Sequence, residues 1–170
     1  MRILIHVHVS LLSSYNGNDK KNGIRGMKWH SFMETFNSLT SDASPDLVII
    51  HLGSNDISFN NPHLLILNKM KSDIFLGMEK FQYTVFIFSE LLSRRFWGRI
   101  EGWEGERKKL EIDKEIRILM RKRGGKVLNH QNIKWRDKSF FRGDGVHLTD
   151  KGNDIFIDDL LNFLKMICST

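Results

Sequence analysis

An aspartate and a histidine stand three positions apart in FFRGDGVHLTDKGNDIF, residues 140–156. In a glycine-rich turn running into a helix, the Asp144 carboxylate can fold back onto the His147 imidazole. It would then hold one ring tautomer and make the other ring nitrogen a general base. A base needs an electrophile-stabilising partner, and VIIHLGSNDI, residues 48–57, offers one. There Gly53 permits close backbone approach, and the Asn55 amide can donate to a developing oxyanion. Each stretch taken singly is also ordinary turn chemistry, a capping aspartate beside a loop histidine and a Gly-x-Asn-Asp turn.

These residues must be positioned by regular elements. Short runs rich in Val, Ile and Phe recur at 3–9, 46–52, 83–88 and 126–130, and their composition reads as strands. Helical patterns fill the gaps at 30–39, 62–80, 107–123 and 150–167; in the last, Ile157, Leu160, Leu161, Leu164 and Ile167 recur at three- and four-residue spacing. Strands alternating with helices predict an α/β fold with a parallel sheet covered on both faces. DLVIIHL is apolar almost throughout, as a central strand is, and follows Pro45. Open parallel sheets bind ligands outside the carboxyl ends of their strands, and Gly53 to Asp56 stand at such an end. Thr149 or Asp150 is expected to cap the last helix. Trp135, Phe140 and Phe141 are expected to pack the loop that carries Asp144.

Composition narrows the classes. The 170 residues, 41% hydrophobic and 27% charged, suit one globular domain over 1–170. A single cysteine, Cys168, excludes an internal disulfide and a cysteine-based metal site, and favours a reducing, intracellular and cytoplasmic setting. No apolar run is long enough to span a membrane. The start, MRILIHVHVSLL, has the arginine and apolar stretch of a signal peptide, but His6 and His8 interrupt it and a strand is the better reading. Those two histidines share a strand face without a third ligand in nearby sequence, so no metal is expected. The net charge of +6 is concentrated in residues 94–109, where Arg94, Arg95, Arg99, Arg107, Lys108 and Lys109 face only three glutamates. With Trp97 and Trp103 interleaved, that segment could make weak RNA or DNA contacts through Arg94, Arg95 and Arg99, or be a solvated helix face.

Together, Gly53-x-Asn55-Asp56 and Asp144-x-x-His147 resemble blocks III and V of the SGNH (GDSL-type) hydrolases, in that family's order. NGIRGMKWHSF resembles block II, matching Gly26 as the glycine whose N–H joins the oxyanion hole, with Gly23 as the second choice. The wording of DGVHLTDKGNDIF, GIRGMKW and FSELLSRRFW is most similar to SGNH domains encoded by some LINE-type retroelements and their host-genome relatives, over residues 23–165. The resemblance implies a flavodoxin-like three-layer α/β/α fold and hydrolysis of a small acyl ester through an acyl-serine. It implies no cofactor and no metal. His147 and Asp144 would be the base dyad, Asn55 and Gly26 the oxyanion donors, and Gly53 their supporting turn.

The family's nucleophile lies in a Gly-Asp-Ser tripeptide after the first strand, and this sequence has none. Ser10 stands at the strand end in its place, with Ser13 and Ser14 beyond. Only fifteen residues separate Ser10 from Gly26, too few for the helix and strand that the family inserts there. The N-terminal part of the fold is therefore expected to be truncated, with residues 1–22 divergent or replaced. Two readings follow: an ester hydrolase, impaired where its nucleophile block is absent, with Ser10 as the remaining candidate; or a retroelement-derived module, nucleic-acid-associated or acyl-binding, that is a pseudoenzyme.

Overall fold

The computed structural model of the chain describes residues 3–7, 26–42, 44–59 and 63–169, the first of these as backbone. Strands β1 (Ile3–Val7), β2 (Leu47–His51), β3 (Val85–Ser89) and β4 (Lys126–Leu128) form one sheet in the order β1-β2-β3-β4, every pair parallel. The helices are α1 (Phe32–Leu39), α2 (His63–Lys80), α3 (Gly102–Lys122) and α4 (Asp150–Cys168). The α/β class and the parallel sheet are as the sequence implies. Among the described residues no strand flanks β1 on its outer side, and residues 8–25, which join β1 to the block II segment, lie outside the description.

Alternation along the strands sorts the core into two layers. Val48, Ile50, Phe86 and Phe88 face a cluster built with Phe32 and Phe36 of α1, Met70 and Ile74 of α2, and Ile112 and Ile116 of α3. Leu47, Ile49, Ile87 and Leu128 face the other way, onto Leu160, Phe163, Leu164 and Ile167 of α4. Both faces of β2 are dry, which is why DLVIIHL carries no alternation. Each such fully buried aliphatic or aromatic side chain contributes roughly 1.5–3 kcal/mol relative to exposure.

Three details differ from the sequence expectation. Helix α3 begins at Gly102 rather than at 107, because Gly102 and Gly105, poor helix formers, serve as contact points. A Cβ on Gly105 would overlap the Trp97 indole, and one on Gly102 would press on the backbone of Arg95 and the ring of Trp135. On α4, Leu161 is exposed, and the buried stripe runs through Phe156 and Leu160 instead. Trp135 belongs to this Gly102 contact, whereas Phe140 and Phe141 pack with Leu148 and Phe156 under the Asp144 loop.

Candidate active site

The carboxyl end of β2 runs into Gly53, whose φ of 125° only glycine adopts without strain; a Cβ there would also crowd Met70 and Leu91. This turn aims the next side chains at the segment that leads into α1. Asn55 Nδ2 donates to the Met27 carbonyl at 3.1 Å, and the Asp56 carboxylate accepts from the Trp29 N–H at 2.9 Å. Burial raises the Asp56 pKa, and the Trp29 N–H works against that rise. Gly26, at φ 71°, adjoins Met27, so the Gly26 and Asn55 positions are brought together. An amide nitrogen carries two hydrogens, and Met27 takes one of them.

The second half is assembled in the turn after Phe141. Asp144 Oδ1 accepts from the N–H groups of Val146 at 2.8 Å and His147 at 2.9 Å, while Oδ2 meets His147 Nδ1 at 2.7 Å. The His147 ring bond, and then these two N–H groups, hold the Asp144 carboxyl well below the usual carboxylate range. An ionised carboxylate only accepts, so Nδ1 carries the hydrogen and Nε2 is left as the proton acceptor. The loop is fixed on both sides. An antiparallel bridge pairs Phe141 with Leu148, Arg142 Nε donates to the Leu148 carbonyl, and Thr149 caps α4 by accepting from the Gly152 N–H.

The two halves meet through the loop after β3. The N–H groups of Arg95 and Phe96 both donate to the Gly145 carbonyl, at 2.8 and 3.2 Å. Gly145 has φ 65°, and a Cβ on it would overlap the Phe96 ring, so this stitch requires glycine. Glu106 of α3 holds the loop from behind, accepting from Ser93 Oγ and the Arg94 N–H, each at 2.9 Å. The Arg94 guanidinium then reaches across to Asn55 Oδ1 at 2.9 Å, which settles which end of that amide is oxygen. Asn55, Arg94 and Val146 line one open crevice of about 460 Å³. Asn55 and the Asp144–His147 loop thus stand at the same end of the sheet.

Solved structures share this architecture. The chain superposes on a GDSL-like lipase from Bacteroides thetaiotaomicron with a TM-score of 0.70 at 20% identity, covering 86% of this chain and 75% of that one. A lipase/acylhydrolase from Enterococcus faecalis gives 0.71 at 15% identity, covering 97% and 96%. The psychrotrophic esterase EstA from Pseudoalteromonas gives 0.66 at 14% identity, covering 86% and 76%. The chain has the SGNH (GDSL-type) hydrolase fold. No family model and no curated protein matches it by sequence.

Within this SGNH fold the predicted residues divide. His147, Asp144, Asn55, Gly53 and Gly26 are placed as above; Ser10, Gly23 and His8 lie outside the described residues. The carboxyl end of β1, Val7, is level with His51 of β2, so the chain leaves β1 at the crevice end of the sheet. The basic segment is broken up. Lys108 pairs with Glu104 at 3.0 Å, Lys109 with Asp113 at 2.8 Å and Arg107 with Glu111 at 2.5 Å. Arg94 and Arg99 line the crevice, and Arg95 lies over the Phe96 ring. Among the described residues there is no group of three metal-ligating side chains, and no helix is long and apolar enough to cross a membrane.

Sequence reading missed two features. Arg94 is a crevice residue rather than part of a basic surface, and its side-chain target, Asn55, is remote in sequence. The other is a buried chain running from His51 Nδ1 to Ser89 Oγ at 2.9 Å, Ser89 Oγ to His130 Nε2 at 2.8 Å, and His130 Nδ1 to Asp159 Oδ2 at 3.1 Å. Its first three members stand at or just beyond the carboxyl ends of β2, β3 and β4. That shared register is the one signal that could have found them.

Proposed function

We propose that this chain is an SGNH-type acyl-ester hydrolase domain whose base and oxyanion groups are in place and whose turnover is impaired by loss of the Gly-Asp-Ser tripeptide. The observation that carries this reading is the 2.7 Å Asp144–His147 bond in a turn whose Val146 lines the same crevice as Asn55. His147 Nε2 is the base, Asp144 fixes its tautomer, and Asn55 Nδ2 with the Gly26 N–H are the oxyanion donors. Ser10 is the residual candidate nucleophile. In a working site its Oγ would attack the ester carbonyl carbon while His147 Nε2 takes its proton and passes it to the departing alkoxide. Water, deprotonated by the same nitrogen, would then release the acid from the acyl-serine. Domain extent 1–170, the absence of metal and cofactor, and a cytoplasmic setting belong to the same proposal. The retroelement-like wording of residues 23–165 is a second strand of it. With Lys108, Lys109 and Arg107 paired to carboxylates, the basic segment supports nucleic-acid contact less than its composition does.

A fluorophosphonate probe followed by peptide mass spectrometry tests the impairment. The expected result is no labelling at Ser10. Labelling that disappears in Ser10→Ala and is competed by ester analogues would make the chain a working hydrolase.

A further inference from the structure

The crevice lined by Val146, the neighbour of His147, carries donors and, among the described residues, no acid of its own. Arg94 and Arg99 line it, and among the described residues no aspartate or glutamate does. Arg94 is the informative residue. Its guanidinium, largely withdrawn from water, bonds the neutral Oδ1 of Asn55 at 2.9 Å and lies 5.4 Å from the Trp97 ring centre. No carboxylate stands within ion-pair distance among the described residues. The buried cations nearby are treated differently, since Lys108 and Lys109 each have a carboxylate at 3.0 Å or closer. Burial pulls the Arg94 pKa down to about 10, and the Asp144 charge only partly opposes it. Asp144 does not serve as the missing partner, because its oxygens already take two backbone N–H groups and the His147 ring.

A desolvated guanidinium without a counter-charge is costly, and its planar fork matches the two oxygens of a carboxylate or phosphate. We propose that this crevice recognises an oxyacid group, carboxylate or phosphate, carried by the ligand, with Arg94 as its main partner and Arg99 at the rim. The substrate class is thus an anionic acyl ester; the word ester rests on the functional reading above, and the anion site does not.

The test is titration of the full chain, followed by NMR of Arg94 and His147 and by calorimetry, with succinate, inorganic phosphate and the neutral ester methyl butyrate. We expect an anion to bind with an affinity that falls as salt rises, weakens about tenfold or more in Arg94→Gln and a few-fold in Arg99→Gln, and is partly kept in Arg94→Lys. Tighter binding of succinate assigns the group to a carboxylate, and tighter binding of phosphate assigns it to a phosphoryl group. No response to either anion, or equal affinity in Arg94→Gln, overturns the proposal. Methyl butyrate is the neutral control: anion binding without it is the expected result, and binding of methyl butyrate without either anion removes the anion site and leaves the ester reading standing. Circular dichroism checks each variant's fold, and if Arg94→Gln does not fold, an unchanged affinity in Arg99→Gln and no salt dependence overturn the proposal instead.

Discussion

Among the described residues two hydrogen bonds join a histidine to an aspartate, and the more complete of the two groups is the less capable of chemistry. Ser89, His130 and Asp159 satisfy the connectivity of a serine triad, Oγ to Nε2 and Nδ1 to carboxylate, at 2.8 and 3.1 Å. Yet Ser89 is 1% exposed, and its oxygen is already clamped between two imidazoles, leaving no approach for a carbonyl carbon. Asp144 and His147 are joined by a shorter bond and have side chains 49% and 48% exposed, on either side of Val146, which lines the open crevice. Residue types set what a group of side chains can do in principle; solvation and access decide whether it does it. Burial pushes the His130 pKa down to about 3, with Lys109 adding to the effect, so that ring stays neutral and relays hydrogen bonds between strand ends. The buried chain is architecture, and the exposed pair is the one we propose for chemistry.

The contrast is broken most easily by deletion. His130→Ala strips Ser89 and Asp159 of a partner and opens a void, and should lower unfolding free energy by about 3–5 kcal/mol. His147→Ala should cost at most about 0.5 kcal/mol, as surface changes do. Urea unfolding of both variants checks this, and comparable losses would erase the distinction drawn here.

Acid sharpens the same comparison. The folded chain holds His130 far below its ordinary 6.5, so as pH falls the unfolded chain binds a proton that the folded chain refuses. This contribution is fully present above ~6.5 and is lost between there and ~3, at up to ~1.4 kcal/mol per pH unit. Nitrogen NMR should show the His130 ring still neutral at pH ~4; a ring that protonates near pH ~6 would mean that water reaches it.

The smallest effect is on Asp144. Its depressed carboxyl pKa depends first on the His147 ring, so His147→Ala should bring it back up towards the ordinary range while the Val146 and His147 N–H groups keep part of the shift. Carbon NMR of the Asp144 carboxyl across pH ~2–6 reads this directly. A titration that does not move would show that the ring and the carboxylate are not coupled.

Much of this was legible in the chain. Unbroken apolar runs marked the central strands because both faces of the sheet are dry, and three-to-four spacing marked the helices. Gly53, Asn55 and Asp144-x-x-His147 were readable because local turn geometry brings each motif's own members together. What escaped were relations between distant residues: Arg94 with Asn55, and His51, Ser89, His130 and Asp159 with one another. No spacing rule encodes these, since parallel register and helix docking create them only once the sheet exists. The start of α3 escaped for the opposite reason, because Gly102 and Gly105 read locally as helix breakers and only their contacts with Trp135 and Trp97 explain them.

The sheet order carries one more implication. Because β1 to β4 lie in chain order, each strand pairs with the one made just before it, across a connection of modest length and closure entropy. Helix α4 breaks this economy. Leaving from beyond β4, it crosses back to seat Leu160 on the face formed by Leu47, Ile49 and Ile87, and to bring Asp159 to His130. During synthesis from the amino end, the α1–α3 side of the sheet can be buried first, while the opposite face, which among the described residues only α4 covers, waits until that helix has emerged. Premature arrest in that interval would expose an apolar strand surface, so the nascent chain is most prone to aggregate just before α4 docks.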